Sequence, residues 1–220
     1  MAGETYYAAE ELPWMMSGTD EAIEAIFTRR SIRKFSPREV PGTMLDSLIE
    51  AGRRAPSPHD SQPWLFVIIS EVGERRRFAR ALRGAYSAYL DSVNDERARE
   101  KAERAYRRTS SAPLLMLICL DLTQLRDQPS ESRRHGEWLM GSQSVAAAAE
   151  NVLLAAHAEG LGGCWRGAPI FCASAIRRCL RLPLTIEPQV LLELGFPAEE
   201  PARKRLKPKD EVVRYGLGAA

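Results

Sequence analysis

Apolar residues near the start of the chain recur at the spacing of amphipathic helices. From about Glu21 to Arg29, isoleucine and phenylalanine lie three and four residues apart, after the candidate N-cap Asp20. A second pattern of the same period begins at Pro41, which suits a first helical turn, and ends at Pro56. These two patterns predict two helices.

Three short runs of aliphatic, β-branched or aromatic residues indicate strands. They span Trp64 to Ser70, Leu114 to Leu120 and about Gln189 to Leu194. The segments predicted to be helical are Glu74 to Thr109 with a break near Asp95, Trp138 to Glu159 with Gly160 at the C-cap position, and Ala173 to Leu180. Few strands, several helices and no regular βαβ alternation favour an α+β sandwich over a doubly wound sheet.

Composition narrows the class of protein. The chain has 220 residues, 45% hydrophobic and 27% charged, with a formal net charge of +2. We therefore expect one domain at residues 21–215, between an N-terminal extension (1–20) and a tail (216–220), and no binding of nucleic acid. The apolar runs are too short to cross a bilayer, and residues 1–20 lack the pattern of a secretory signal. Four cysteines without a Cys-x-x-Cys pair predict reduced thiols and a cytoplasmic location.

A compact basic segment, Arg29–Phe35 (RRSIRKF), follows the first predicted helix. Its four cations and one hydroxyl could hold a phosphate, because guanidinium groups bind phosphate oxygens bidentately. The alternative is that these cations complement the helix dipole in solvent. Taken alone, the segment favours the alternative.

A polar loop rich in proline, Ala55–Trp64 (APSPHDSQPW), connects the second helix to the first strand. Ser57, Asp60 and Gln62 offer donors and acceptors to a planar heterocycle, and His59 is a candidate proton donor. The alternative is an ordinary connector built from turn residues, with its histidine in solvent.

Glycine is concentrated in the segment Gly160–Gly167 (GLGGCWRG). Four glycines in eight residues would let the backbone approach a flat ligand and present N–H groups to it. A helix C-cap turn with a buried tryptophan is the alternative, and the G-x-G-x-x-G spacing of dinucleotide-binding proteins is absent. A last basic cluster, 201–206 (PARKRL), is by itself typical of a solvated tail.

The order and spacing of these segments resemble the nitroreductase family. The matching pieces are RRSIRKF with Val40-Pro41, APSPHDSQPWLFV, AAAAENVLLAAHAEGLGGCW, and LLELGFP followed by ARKRL, from about residue 24 to 213. The resemblance implies a central, mostly antiparallel sheet flanked by helices, and an intertwined homodimer with two FMN molecules at its interface. Within the family, GLGGCWRGAPIF and APSPH look most like the flavin domain of deazaflavin-cofactor biosynthesis reductases.

The same resemblance assigns residues to the cofactor. It places Arg29 and Ser31 on the FMN phosphate, with Arg30 beside them, and Arg33 near the N1/O2 edge of the ring. A cation at that edge stabilises the negative charge of the reduced flavin. The remaining assigned residues are Gly167 and Ala168, whose N–H groups would face flavin N5, and Arg203 and Arg205, which would return to the phosphate.

Four residues of the polar loop match the part of the family that reaches the flavin from the second subunit: Pro56, Ser57, Asp60 and Gln62. The family usually has asparagine where this chain has Asp60. A carboxylate cannot donate to a ring carbonyl unless it is protonated, so the sequence departs from the family at this contact.

Three functional hypotheses follow. The favoured one is an enzyme that carries hydride from NAD(P)H through FMN to a nitroaromatic, quinone or enone by a ping-pong mechanism, with Arg33 and His59 as catalytic residues. The first alternative is a reductase of a dehydro precursor in deazaflavin-cofactor biosynthesis. The second alternative is a non-enzymatic module that binds flavin or nucleotide.

Overall fold

The computed structural model describes residues 21–201 and 205–216. The predicted N-terminal extension and most of the predicted tail therefore lie outside the described residues. The helices are α1 (Glu21–Thr28), α2 (Gly42–Arg53), α3 (Val72–Ser92), α4 (Ala98–Ser111), α5 (Glu131–Ala158), α6 (Ala168–Phe171), α7 (Ala173–Leu180) and α8 (Lys209–Val212). The strands are β1 (Trp64–Ile69), β2 (Leu114–Asp121), β3 (Gly162–Arg166) and β4 (Ile186–Gly195).

The four strands form one sheet in the order β1-β2-β4-β3, and every neighbouring pair is antiparallel. β2 is central and is buried along almost its whole length. This explains why its sequence, LLMLICLD, is continuously apolar instead of alternating. The α+β class and the antiparallel sheet predicted from the sequence are confirmed.

Helices cover both faces of the sheet. On one face, Met116 and Ile118 of β2 pack with residues of α5 such as Val152. On the other face, Leu117 packs with Phe78 of α3, in a cluster that also contains residues of α7. The fold is therefore a three-layer sandwich with β2 and β4 at its centre. None of the described helices is both long and apolar enough to span a membrane.

The predicted start of the long helix was wrong, and one strand was not predicted. α5 begins at Glu131, seven residues before the predicted start at Trp138, because Ser130 caps it by accepting a hydrogen bond from the N–H of Arg133. That first turn is charged and exposed, so no apolar periodicity marks it. The glycine-rich segment, expected to be a ligand-facing stretch or a turn, contains a strand, β3, paired with β4.

The glycines of β3 are needed for packing against the chain itself. A Cβ at Gly162 would lie 2.7 Å from Cβ and Cγ1 of Ile32, and a Cβ at Gly163 would overlap the side chain of Leu153. By contrast, a Cβ at Gly167 would meet nothing within 4 Å. At Gly162 and Gly163 the backbone is therefore approached closely by side chains of the same chain. Gly167, at the end of the segment, leaves space for a ligand beside the backbone.

Gly162→Ala should destabilise the fold by about 1–3 kcal/mol, because Ile32 is β-branched and its backbone is hydrogen bonded to Gly163, so it cannot move away. The matched control is Gly136→Ala in α5, where the new methyl group meets nothing within 4 Å and should stabilise by up to about 1 kcal/mol. Urea unfolding at one protein concentration measures both. Equal stability of Gly162→Ala and wild type would contradict this account of the packing.

Candidate active site

The basic segment after α1 runs beside the edge strand β3. Ser31 forms a parallel bridge with Gly163, and the N–H of Ile32 donates to the carbonyl of Gly163 at 3.0 Å. The buried side chain of Ile32 occupies the space that the missing side chain of Gly162 leaves. The extended backbone then carries Arg33 and Lys34 out into solvent on the far side of this contact.

Arg29 is held against the long central helix. Its Nη2 lies 3.0 Å from the carboxylate of Glu150 in α5, and its side chain is 23% exposed. Its Nε is buried and has no hydrogen-bond partner among the described residues. Arg29 is therefore a partly buried cation, and a guanidinium group in this position is suited to an anion that reaches its exposed part.

Arg30 behaves as a helix-terminal cation. Its Nη1 donates to the carbonyls of Phe27 and Arg29 at 2.6 and 2.8 Å, at the C-terminal end of α1. Arg30 therefore complements the dipole of α1, as the alternative interpretation of the basic segment predicts. This interpretation does not extend to Arg29, which pairs with Glu150 instead.

A cavity of about 660 Å³ opens between the basic segment and α4, and we call it the cationic cavity. Its size is in the range of small-molecule sites. The carboxylate of Glu199 accepts hydrogen bonds from the backbone N–H groups of Arg33 and Lys34 at 2.6 and 3.1 Å. The residues that line the cationic cavity are Ser31, Arg33, Lys34, Phe35, Arg104, Arg107, Arg108, Ser111, Glu199, Glu200 and Pro201.

Gly167 and Ala168 follow β3 directly. Gly167 precedes α6 in a helical conformation (φ −87°, ψ −3°), and Ala168 is the first residue of that short helix. Gly167 is exposed, and so is the side chain of Trp165, by 38%. The backbone here is accessible to a ligand, as the N5-facing assignment requires.

A buried carboxyl group lies behind this strand end. Glu193 of β4 is fully buried, and it accepts a hydrogen bond from the hydroxyl of Thr109 at 2.7 Å. Its other oxygen has no partner among the described residues, and Nε of Arg166 is 3.9 Å from the first oxygen. Burial raises the pKa of Glu193, against the opposing positive charge of Arg166.

The polar loop folds back on itself through strained backbone. His59, Asp60 and Gln62 all have positive φ (56°, 54° and 45°), which non-glycine residues seldom adopt. Ser57 Oγ accepts from the N–H of Gln62 at 3.0 Å, and the amide of Gln62 donates to Asp60 at 3.1 Å. Such strain clusters at functional sites. Left-handed backbone also explains an aspartate or asparagine at position 60, since both tolerate it.

His59 lies beside a carboxylate at the N-terminal end of α5. Its Nε2 is 3.9 Å from Glu137, whose side chain is 8% exposed, while His59 itself is 41% exposed. The histidine is therefore neither buried nor free in solvent, and it faces an acidic group. Pro56 is exposed at the start of the same loop.

Within one protomer, the loop and the basic segment lie at opposite ends of α5. The loop contacts the helix at Glu137, whereas Arg29 contacts it at Glu150, thirteen residues later. At 1.5 Å per residue, this separates the two contacts by about 20 Å along the helix. One chain thus brings together Ser31, Arg33 and the strand that leads to Gly167, but keeps the loop apart from them.

The structure does not join the second basic cluster to the first. Arg205 is exposed, and Arg203 lies outside the described residues. Sequence analysis also missed two features of the site: the arginines of α4 and the Glu193–Thr109 pair. The α4 arginines could have been found from their spacing, whereas Glu193 sits in an apolar run that gives no signal of a nearby hydroxyl.

Comparison with known proteins identifies the family. The sequence model of the Nitroreductase family matches residues 26–196. A protein of Methanothermobacter thermautotrophicus, provisionally named NADH dehydrogenase/NAD(P)H nitroreductase, is 32% identical over 194 residues, covering 87% of this chain and 85% of its own. The chain belongs to the nitroreductase family, which confirms the resemblance inferred from its motifs.

Solved structures show the same fold. A provisionally named nitroreductase of Desulfovibrio desulfuricans, solved in complex with FMN, has a TM-score of 0.71 at 24% identity and covers 91% of this chain and 99% of its own. The NADPH:FMN oxidoreductase of Vibrio harveyi, complexed with NAD+, has a TM-score of 0.70 at 23% identity, covering 91% and 79%. The narrower resemblance to deazaflavin-cofactor biosynthesis stays a prediction.

Glu193→Gln should gain stability relative to wild type as pH rises. A carboxyl group whose folded pKa is raised binds its proton more tightly when folded, so wild-type stability falls as pH rises from the ordinary value of 4.5 through the folded pKa. The glutamine variant lacks this titration. Urea unfolding of both proteins across this pH range measures the difference.

Glu50→Gln is the control with the opposite sign. Arg54 lowers the pKa of Glu50 through a hydrogen bond, so the wild-type advantage there is present above the ordinary pKa and disappears as pH falls. A stability difference for Glu193→Gln that stays constant with pH would contradict the buried, ionisable state of Glu193.

Proposed function

We propose that the protein is an FMN-dependent oxidoreductase that carries hydride from NAD(P)H to a small acceptor such as a nitroaromatic, quinone or enone. The observation that carries the proposal is the pairing of Ser31 with Gly163. This pairing places the residues that the family resemblance assigns to the phosphate and the ring edge beside β3. Gly167 and Ala168, which the resemblance assigns to flavin N5, follow β3 directly.

The residues present fit FMN. A phosphate needs charge-assisted donors. The side chain of Arg29 is 23% exposed, and Ser31 borders the cationic cavity. A planar ring needs open backbone beside it, and Gly167 has no neighbour within 4 Å of a Cβ position. Arg205, near the C-terminal end of the chain, is exposed and could contact the same phosphate.

Bound FMN would supply the hydride-transfer chemistry between NAD(P)H and the acceptor, so no side chain would have to act as a nucleophile. Arg33 supplies a positive charge at the N1/O2 edge, where negative charge develops. The N–H groups of Gly167 and Ala168 orient the N5 side of the ring. The proton that accompanies reduction of the acceptor would come from water or from His59, whose Nε2 lies 3.9 Å from Glu137.

The complete site requires a second copy of the chain. The loop at 56–62 lies too far along α5 to serve the basic segment of its own protomer, and apolar side chains remain uncovered near both ends of that helix. Ile26 of α1 is 54% exposed and Leu139 of α5 is 45% exposed. The segment 205–216 is exposed throughout and carries further apolar residues. A homodimer formed around α5 covers these surfaces and brings one protomer's loop to the other's flavin.

The direct test is retention of flavin. Wild-type protein should be purified with FMN, and NAD(P)H should bleach its absorbance. Arg29→Ala and Arg205→Ala should release the flavin during gel filtration, because each removes a phosphate contact. Arg54→Ala, which removes an exposed arginine outside the site, is the control. Full retention of FMN by both site variants would refute the phosphate assignment.

Arg33→Gln should lower the flavin midpoint potential and slow its reduction by NAD(P)H. Loss of about 1–3 kcal/mol of electrostatic stabilisation shifts a two-electron couple by roughly 20–65 mV. Spectroelectrochemical titration measures the shift, with Arg80→Gln as a control at an exposed arginine of α3. An unchanged midpoint would remove Arg33 from the site.

Mixed dimers test the shared site. Arg29→Ala should impair the phosphate contact, and Ser57→Phe should block the loop's approach to the flavin, so each variant alone should be inactive. When the two variants are co-expressed, each mixed dimer should contain one intact site and one doubly damaged site. Activity should therefore return in differently tagged mixed dimers but not in either variant mixed with itself. No recovery in purified mixed dimers would show that the loop and Arg29 serve the same protomer.

A further inference from the structure

One face of α4 carries a cluster of cationic side chains, most of which have no acidic partner among the described residues. Arg104, Arg107, Arg108 and Ser111 recur at the spacing of a single helical face, and all four line the cationic cavity. Like charges three and four residues apart destabilise a helix by about 0.2–0.5 kcal/mol per pair. Repulsion between these arginines therefore destabilises α4 unless an anion lies against them.

Several other cations of the α3–α4 hairpin are compensated. Arg97 pairs with Glu100 at 2.8 Å, and Arg83 pairs with Glu103 at 3.1 Å. By contrast, the guanidinium groups of Arg104 and Arg107 form no ion pair or hydrogen bond with any residue in 21–201 or 205–216, and both side chains are exposed. The charge of Arg104 acts only at longer range, where it adds to the hydrogen bond from Arg97 in lowering the pKa of Glu100. Arg108 differs, since it is half-buried and lies close enough to Glu193 to lower the pKa of that carboxyl group.

The opposite wall of the cationic cavity has the same sign. Arg33 and Lys34 face α4 across it, so five cationic side chains and two carboxylates line the space, an excess of three positive charges. One of the two carboxylates, Glu199, is already engaged by two backbone N–H groups. The cavity is therefore complementary to an anion on the α4 side as well as on the side of the basic segment.

We propose that Arg104 and Arg107 bind a phosphate or carboxylate group on the second substrate, the molecule that exchanges hydride with the flavin. This inference rests on the proposed function. The FMN phosphate is assigned to Arg29, Ser31 and Arg205, which leaves the α4 arginines for another anion. Arg33 and the α4 arginines line the same cavity, so an anion bound at α4 would lie near the ring edge that the proposed function assigns to Arg33. The anion belongs either to the 2′-phosphate of NADPH or to an acidic acceptor.

The test compares the double variant Arg104→Gln/Arg107→Gln with the matched control Arg76→Gln/Arg80→Gln. The control removes two exposed arginines from one face of the neighbouring helix α3, outside the cavity. Calorimetric titration of the purified holoprotein uses two pairs of probes that differ in charge. The pair 2′,5′-ADP and 5′-AMP reports on the 2′-phosphate, and the pair 4-nitrobenzoate and 4-nitrobenzyl alcohol reports on an acidic acceptor.

In the double variant, affinity for 2′,5′-ADP or for 4-nitrobenzoate should fall by about tenfold, while affinity for its less charged partner changes little. Which probe responds identifies the source of the anion. The control variant should behave as wild type, and FMN content should stay unchanged in both variants.

Three outcomes would overturn the inference: neither anionic probe binds the wild type, both anionic probes bind the double variant as tightly as wild type, or the double variant loses FMN. The last result would instead assign the α4 arginines to the cofactor phosphate. Wild-type protein that binds an anionic probe through Arg104 and Arg107 but holds no flavin would refute the proposed function and leave the anion site standing.

Discussion

The contact between Ile32 and the glycines of β3 determines where the candidate site lies. Because Gly162 has no side chain, the chain after α1 can run directly against the edge strand, where Ile32 is buried and its N–H donates to Gly163. Everything assigned to one protomer's part of the site depends on this contact. It directs Arg33 outward, sets Ser31 beside the cavity, and fixes both relative to the strand end at Gly167.

The long helix α5 has a second, complementary role. It contacts the basic segment near its C-terminal end and the strained loop near its N-terminal end, so it holds the two groups of site residues at a fixed separation. A rigid spacer of this length prevents one protomer from assembling the whole site. In the proposed dimer, pairing of two copies around α5 would cover the exposed apolar residues and would also complete the divided site.

Much of the fold could be predicted from local pattern. The uninterrupted apolar run of β2 indicated a strand buried on both faces, and the break near Asp95 separated α3 from α4. β3 was not predicted, because glycine is unfavourable in strands and its presence here reflects a tertiary contact with Ile32. The start of α5 was missed because its first turn is polar and is defined by the Ser130 cap.

Only part of the candidate site could be predicted from the sequence. The order of the motifs identified the basic segment and the loop. The positive φ angles of His59, Asp60 and Gln62 could not be predicted, because they follow from folding of the loop and none of these residues is a glycine. Thr109 and Glu193 are 84 residues apart in sequence, so their hydrogen bond is visible only in three dimensions. The spacing of the α4 arginines on one helical face is visible in the sequence, but the cavity that they line is formed by residues distant in sequence, so the cavity itself could not be predicted.

The central claim is that one flavin is held jointly by the basic segment of one protomer and the strained loop of another. A crystal structure of the purified protein with FMN tests it most directly. The account predicts two flavins per dimer, each with its phosphate at Arg29 and Ser31, its ring edge at Arg33 and its N5 beside Gly167, all from one protomer, and with Ser57 contacting it from the other protomer. A flavin contacted by Ser57 and Arg29 of the same protomer, or bound away from Arg33, would contradict it.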